Sequence, residues 1–259
     1  MKNFAIASLA MIGVVFAAPQ EELMGTLPGT SAFDTPTYSG FLEVTETKRL
    51  HYVFTESLDN PASDPLILWF NGGPGCSSML GFMQENGPRI IDDGEDYLKE
   101  NPYPWNTRAN VMWLESPAGV GWSVGETKED RKTNDMQTSQ DALAAMHQFY
   151  AKFPEYANND LYVSGESYAG IYVPWLAWQI YQNNLRADFD TELATINMKG
   201  FMVGNGCTLK QSEWAMAPSY PPTVANFNVV PPQLWQKYED LGCFTGSKTA
   251  KCVETELKI

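Results

Sequence analysis

A serine flanked by small residues stands where an apolar strand gives way to a helix, a setting that can make a hydroxyl nucleophilic. The segment Leu161–Gly170 is an apolar run, then Gly165-Glu-Ser167-Tyr-Ala169, then the start of a helical pattern. A tight turn of this kind lifts the serine oxygen above a sheet and admits only small residues two positions away on either side. Ala169 replaces the more usual glycine, which the sterics tolerate. The pattern predicts Ser167 as the nucleophile of an acyl transfer, with an ordinary glycine-containing turn as the alternative.

A glycine-rich run follows an earlier apolar strand and could stabilise the oxyanion of such a reaction. Trp69–Ser78 reads Trp-Phe-Asn-Gly-Gly-Pro-Gly-Cys-Ser-Ser. In hydrolases with this kind of nucleophile turn, an amide of this loop joins the amide that follows the nucleophile. We therefore expect Gly73 and Tyr168 to donate to the oxyanion. Alone, the run is equally typical of a tight turn or an anion-binding nest, and it lacks the Lys-Ser/Thr of a phosphate-binding loop.

The elements that must position these residues alternate between strands and helices, which predicts an α/β architecture. An antiparallel pair is expected at the sheet edge, at Tyr38–Val44 and Arg49–Thr55. Compact apolar runs predict buried, mostly parallel strands at Leu66–Phe70, Asn110–Glu115, Leu161–Ser164 and Met198–Val203. Helical spacing is found at Asn134–Phe153, from just after Ser167 through Ile180, and at Pro232–Leu241.

The two ends of the chain differ in character from this middle part. A short apolar run, Phe4–Phe16, follows Met-Lys and precedes Ala17-Ala18, which predicts a signal peptide over 1–17 with cleavage after Ala17. The alternative is a membrane anchor, but the run is shorter than the ~20 apolar residues that span a bilayer. Prolines interrupt the pattern after Gly204. We expect the main domain at 18–206 and the start of a cap insertion at 207–259.

Composition excludes several classes of function. The formal net charge of −14 disfavours nucleic acid and anionic membrane as partners, because both are polyanions. Two histidines and no Cys-x-x-Cys spacing argue against a metal site, and no cofactor is predicted. In an exported chain the four cysteines predict disulfides, with three possible pairings among Cys76, Cys207, Cys243 and Cys252.

Four blocks in register resemble the serine carboxypeptidase family. They are Trp69–Ser78, Trp113–Ser123, Gly165–Gly170 and Gly204-Asn205-Gly206. The resemblance implies the α/β-hydrolase fold, with a mixed, mostly parallel sheet and helices on both faces. It also implies removal of single residues from peptide C-termini through an acyl-enzyme. The predicted signal peptide indicates the secretory pathway and leaves a lysosome or vacuole and the extracellular space open as destinations. The Glu115–Ser123 part of the second block is expected to be structural. At Cys76 the family usually has a disulfide to a cysteine far downstream.

The resemblance also implies a grip on the terminal carboxylate of the substrate. The matching positions are Trp69, Asn71, Glu85 and Glu166. Two carboxyl groups can hold a third only while they keep protons to donate, and close like charges raise each other's pKa. The resemblance therefore predicts activity that is strongest in acid.

The chain departs from the family after Ser167. A triad in this fold runs Ser, Asp or Glu, then His, yet His51 and His147 both precede the nucleophile and are predicted to be structural. We expect a truncated gene model or an incomplete transcript that lacks the triad acid and histidine; as a protein by itself, this chain would expose a sheet edge and be poorly soluble. The alternatives are a non-catalytic secreted protein that binds peptide C-termini, and a fragment that joins a second chain carrying the missing Asp and His.

Overall fold

The structure, a computed structural model, describes residues 18–92, 94–187, 194–207, 232–243 and 249–256. The predicted signal peptide, 1–17, and most of the proline-rich tract, 208–231, lie outside these residues, and both interpretations stay predictions. The strands of the described part are β1 (Thr37–Glu43), β2 (Lys48–Thr55), β3 (Leu66–Phe70), β4 (Arg89–Ile90), β5 (Lys99–Glu100), β6 (Asn110–Leu114), β7 (Val124–Gly125), β8 (Leu161–Glu166) and β9 (Met198–Gly204).

One mixed sheet organises the described residues, with the strand order β1-β2-β6-β3-β8-β9 and β7 beside β2. β1, β2 and β6 pair antiparallel, whereas β6, β3, β8 and β9 pair parallel. Parallel strands with neighbours on both sides are buried on both faces, so they show short continuous apolar runs. The antiparallel pair at the edge and the parallel strands agree with the sequence prediction.

Two long helices connect the strands, α1 (Asp135–Lys152) and α2 (Ala169–Ala187). α1 begins where the side chain of Asn134 accepts the backbone N–H of Gln137 at 2.9 Å, which satisfies a donor of the first turn. It ends before Pro154, which would disfavour continued helix. Two short helices, α3 (Pro232–Asp240) and α4 (Ala250–Glu256), follow the sheet in sequence.

The two faces of the sheet are covered differently. α1 and α2 pack against each other and bury one face, which we call the helical face. The other, which we call the loop face, carries Trp69 and Trp113 and is covered by Phe82 from a π-helical turn, Gly81–Glu85. The sequence predicts helices on both faces; in the described residues the long helices share one face, because both connections cross the sheet on the same side.

Aromatic side chains fill the helical face between α1 and the antiparallel edge. Phe149 of α1 and Phe153, which directly follows that helix, lie 4.9 Å apart by ring centroids, and each is 5.1 Å from Phe54 of β2. Tyr156 adds another ring contact with Phe54 at 5.1 Å. Burial of large aromatic side chains is a main source of folding free energy. This cluster therefore fixes α1 onto the sheet.

The cysteines pair differently from the expectation of disulfides throughout. Cys243 and Cys252 form a disulfide that joins the turn after α3 to α4, and their buried side chains pack with Tyr238. Cys76 is exposed and Cys207 partly exposed, and both are free thiols in this structure. Spacing alone could not decide between the pairings. Among the described residues no helix is both long enough and apolar enough to cross a membrane.

Candidate active site

The predicted nucleophile lies on a strained turn between β8 and α2. Ser167 has a φ of 58°, in the left-handed region that non-glycine residues seldom adopt. Three backbone hydrogen bonds hold it there. Its N–H donates to Gly204 O at 3.0 Å, and its carbonyl accepts from Gly170 and Cys207 at 3.0 and 2.8 Å. The surrounding structure thus fixes the conformation of the turn.

Steric crowding explains the small residues on either side of Ser167. A Cβ added to Gly165 would lie 2.5 Å from Phe70 O and 2.6 Å from the Cβ of Ala169. Position 165 therefore requires glycine. Ala169 is fully buried, so its methyl group fits only because position 165 carries no side chain. This contact accounts for the tolerated departure from the usual second glycine.

The glycine-rich loop after β3 lies against the nucleophile turn. A Cβ on Gly72 would come within 2.4 Å of Tyr168 N and 2.8 Å of Ser167 Cβ, so this approach needs glycine. Gly73 has a φ of 109°, and the N–H of Cys76 donates to Gly72 O at 3.1 Å. The structure therefore brings the loop of Gly73 and the backbone of Tyr168 together beside Ser167.

Asn71 joins the predicted carboxylate-binding residues into one network. Its Oδ1 accepts from Trp69 Nε1 at 3.0 Å and from Gly81 N at 2.9 Å. These two donors identify the oxygen, so the amide nitrogen must face the other way. Asn71 Nδ2 donates to Glu85 Oε1 at 2.9 Å and to Glu166 Oε1 at 3.4 Å. Four side chains that the resemblance singles out thus meet at one place, next to the nucleophile turn.

The environment of Glu85 favours its protonated form. Partial desolvation of the carboxyl raises the pKa of Glu85, and the nearby Glu166 raises it further, while the hydrogen bond from Asn71 acts in the opposite direction. A protonated carboxyl can donate a hydrogen bond, which an ionised one cannot. The site therefore has a group suited to holding a carboxylate in mild acid.

Glu85 stands on the π-helical turn, and asparagines on the loop face anchor that turn. Asn101 Nδ2 donates to Glu85 O at 3.2 Å and to Gly87 O at 2.8 Å. Asn86 Oδ1 accepts from the buried Trp113 Nε1 at 2.8 Å. Single π-helical turns are frequent at functional sites. The sequence does not single out Asn86 or Asn101, since their partners are distant in the chain and no local motif marks them.

Neither histidine of the chain contacts Ser167. His51 has both ring nitrogens engaged, Nδ1 with Glu115 Oε2 and Nε2 with Ser39 Oγ, each at 2.9 Å. His147 lies on α1. No group of metal-binding side chains occurs in the described part of the chain. The described residues thus bring together the predicted nucleophile and its candidate donors, but they place no histidine as a base for the serine.

The side chain of Tyr168 is also held in place. Its hydroxyl donates to Asp135 Oδ1 at 3.1 Å, and its ring contacts that of Tyr172 at 5.2 Å. Asp135 is the first residue of α1, so the start of that helix is tied to the turn of the nucleophile. The sequence gives no indication of this contact, because the two residues are far apart in the chain.

Comparisons with known proteins bear on the family of the chain. The family model described as serine carboxypeptidase matches residues 28–258. The lysosomal protective protein of Mus musculus is 42% identical over 191 residues, covering 73% of this chain and 38% of the relative. Serine carboxypeptidase S10 family member 1 of Dictyostelium discoideum is 45% identical over 176 residues, covering 66% of this chain and 41% of the relative. The chain thus spans about two fifths of these relatives.

A solved structure shows the same fold. Kex1(delta)p, a prohormone-processing carboxypeptidase from Saccharomyces cerevisiae, superposes with a TM-score of 0.69 and covers 93% of this chain. The matched part is 56% of that protein, and the sequence identity is 22%. The similarity supports the α/β-hydrolase architecture that the sequence predicts.

Proposed function

Because the chain belongs to the serine carboxypeptidase family, we propose that it supplies the nucleophile, oxyanion hole and carboxylate grip of an enzyme that removes residues from peptide C-termini. The observation that carries the proposal is the amide of Asn71, which links Glu85 and Glu166 beside the turn of Ser167. An endopeptidase does not bind the free C-terminus of its substrate, so it does not need two acidic groups next to its nucleophile. A carboxypeptidase does bind that terminal carboxylate, and protonated acidic groups can donate hydrogen bonds to it.

The grip works through shared protons. The terminal carboxylate of the substrate accepts from a protonated Glu85 or Glu166, and from Asn71 Nδ2 in place of its long 3.4 Å contact with Glu166. Trp69 acts indirectly, because its Nε1 already donates to Asn71 Oδ1 and so orients the amide. Binding is expected to weaken above the raised pKa of Glu85, where the ionised carboxyl can no longer donate and repels the substrate.

Ser167 attacks the carbonyl carbon of the last peptide bond and forms an acyl-enzyme, which water hydrolyses. The N–H groups of Gly73 and Tyr168 stabilise the oxyanion, and one such donor is typically worth ~10²–10³ in rate. The base cannot be His51, since both of its ring nitrogens have other partners. We assign the base and its acidic partner to residues outside this chain, in a longer form of the protein or in a second chain.

The same proposal includes the organisation and destination of the protein. Residues 1–17 direct it into the secretory pathway, 18–206 form the N-terminal part of the hydrolase domain, and 207–259 begin a cap. The relative in Mus musculus is named a lysosomal protein, which supports an acidic compartment such as a lysosome or vacuole, with the extracellular space as the alternative. An acidic compartment suits a grip that requires protonated glutamates.

Peptide binding tests the grip without requiring catalysis. We expect calorimetry at pH 5 to show binding of a peptide with a free C-terminus and none of its C-terminal amide. Asn71→Ala should abolish the difference. Glu129→Gln is the control, because Glu129 is exposed and forms a surface ion pair with Lys132. Equal affinity for the acid and the amide would refute the grip.

Covalent labelling tests the nucleophile. A fluorophosphonate reacts with an activated serine, so we expect Ser167 to label slowly in this chain and much faster in a form that includes the base. Ser167→Ala should remove the label in both forms. Labelling at another serine while Ser167 stays unmodified would contradict its assignment.

A further inference from the structure

Two adjacent serines anchor the glycine-rich loop to the end of β6 through different atoms. Ser78 Oγ donates to Leu114 O at 2.7 Å and accepts from Asn71 N at 3.2 Å. Ser77 Oγ instead donates to the carboxylate of Glu115, the next residue along the chain from Leu114. Ser78 therefore holds the start of the loop, where Asn71 and the carboxylate grip lie, and Ser77 holds the far end of the loop.

Glu115 is a buried acceptor with several donors. Its carboxylate is inaccessible to solvent and accepts from His51 Nδ1 at 2.9 Å, from Trp122 N at 2.7 Å and from Ser77. Burial by itself would raise the pKa of Glu115, but these hydrogen bonds outweigh it and lower the pKa. The carboxylate is thus ionised, and hydrogen bonds to an ionised acceptor are stronger than neutral ones.

The surroundings leave Glu115 no room to move. A Cβ on Gly121 would lie 1.8 Å from Glu115 Oε1, so the neighbouring backbone closes directly over the carboxylate. Ser123 completes the enclosure, because its Oγ donates to Glu115 O at 2.6 Å and accepts from His51 N at 2.8 Å. Glu115 is therefore a fixed point to which the loop can be attached.

The loop that Glu115 anchors is mostly exposed, and the backbone of Gly75 also forms a hydrogen bond with Tyr172 of α2. Gly73, Gly75 and Cys76 are all solvent-exposed. Inside the loop, Cys76 N donates to Gly72 O. Gly73 and Gly75 both have positive φ values, which other residues seldom adopt. Glycine can also adopt many other backbone conformations, so the sequence of the loop does not by itself fix its shape. An exposed glycine turn needs an external anchor if an N–H within it is to point at one position.

We propose that Glu115 is a positioning residue for the oxyanion hole, which holds the turn of Gly73 in place through Ser77 while Ser78 separately holds Asn71 and the grip. This inference rests on the proposed function. Glu115 itself touches neither substrate nor Ser167; it acts through Ser77. The loop thus contributes to both the oxyanion hole and the carboxylate grip, and a different serine anchors each part.

The adjacent serines provide a matched pair of variants. In Ser77→Ala we expect amide hydrogen exchange of residues 72–76 to become roughly tenfold faster, as for loss of one hydrogen bond to a charged group, with peptide affinity within about twofold of the parent. Ser77→Thr keeps the hydroxyl and should restore slow exchange. In Ser78→Ala we expect the affinity for a free C-terminus to fall roughly tenfold. Unchanged exchange in Ser77→Ala, or equal loss of affinity in both variants, would overturn the proposal.

Labelling of Ser167 adds the chemical readout. A fluorophosphonate places a phosphoryl oxygen in the oxyanion hole, so Ser77→Ala should slow labelling about tenfold and Ser78→Ala should leave it nearly unchanged. Equal labelling rates in Ser77→Ala and Ser78→Ala would contradict the proposal that Glu115 and Ser77 position the oxyanion hole. If the parent chain neither labels nor binds free C-termini, the proposed function fails. Hydrogen exchange would still decide whether Glu115 positions the loop.

Discussion

The helical face and the loop face of the same sheet are built from different interactions. On the helical face, apolar side chains of α1 and α2 pack against Leu, Val and aromatic residues of the strands. The loop face has a smaller apolar cluster around Trp69 and Trp113, beside buried polar groups such as Asn86 and Glu115. Apolar packing is non-directional, whereas a buried hydrogen-bond network fixes atoms in position. The comparison indicates that one face mainly provides stability and the other mainly arranges the chemistry.

The largest expected effect comes from the helical face. Phe149→Ala should lower the free energy of unfolding by about 3–5 kcal/mol, because the ring is fully buried against Phe54 and Phe153. Urea denaturation measures the loss, and the folded fraction should still bind a peptide C-terminus. Phe149→Leu should cost less. A loss below about 1 kcal/mol would mean that this face is not the main source of stability.

The protonation of Glu85 should show on the loop face. Since its pKa is raised, the proton that donates to a substrate carboxylate is present in acid and lost as pH rises through that value. We expect peptide affinity to fall about tenfold as pH rises from acid to neutral, because the raised pKa of Glu85 shifts the loss of this proton upward in pH. Glu85→Gln, which can donate at every pH, should flatten the profile measured by calorimetry. A profile as steep as that of the parent would contradict the role of Glu85.

The free energy of unfolding should also decrease as pH rises, as the peptide affinity does. The folded form binds the Glu85 proton more tightly than the unfolded form, so this group stabilises the fold at low pH and the contribution is lost as pH rises through the raised pKa. Glu85 is exposed as a whole residue, so we expect a small change.

Asn101 tests whether the loop face positions the grip from a distance. Asn101→Ala removes the two hydrogen bonds to Glu85 O and Gly87 O, so the π-helical turn should loosen. We expect about a threefold to tenfold loss of affinity for a free C-terminus, in line with ~1 kcal/mol per hydrogen bond. Asn197→Ala is the control, because Asn197 makes similar bonds at a remote site. The prediction fails if the two variants bind equally.

The smallest expected effect has the opposite sign. Ser167→Gly should raise the free energy of unfolding by about 1 kcal/mol, because glycine adopts the φ of 58° without strain. Chemical denaturation measures the gain, and Ser167→Ala, which keeps the strained backbone, is the control. No gain relative to Ser167→Ala would show that the turn is not strained.

The sequence predicts the sheet well, because local patterns determine its parts. β3 has the expected bounds, Leu66–Phe70, since an apolar run between Pro65 and Asn71 can form only a short buried strand. α1 begins and ends within one residue of the prediction, because Asn134 and Pro154 mark its limits. β8 extends two residues beyond the predicted Ser164, since pairing with β9 continues to Glu166.

The site is predicted only in part, because long-range polar contacts complete it. The resemblance brings Asn71, Glu85 and Glu166 together, and the structure does the same. Asn101 and Ser77 were not singled out, and Glu115 was expected only as part of a structural loop. Their partners lie many residues away, as with His51 and Glu115, which are 64 residues apart. No spacing rule links such positions. The spacing of the four cysteines likewise does not predict which of them form the disulfide.

The order of strands in the sheet has a consequence for synthesis. β3 leaves the ribosome before β6 and β8, yet it lies between them, and Asn71 meets Glu166 across 95 residues. Ser167 N binds Gly204 O, so the turn is secured only after β9 has emerged. Contacts between distant segments slow folding, because the intervening chain must first be ordered. In a nascent chain the turn that carries Ser167 therefore stays unsecured until β9 has docked, which delays the strained conformation of the predicted nucleophile.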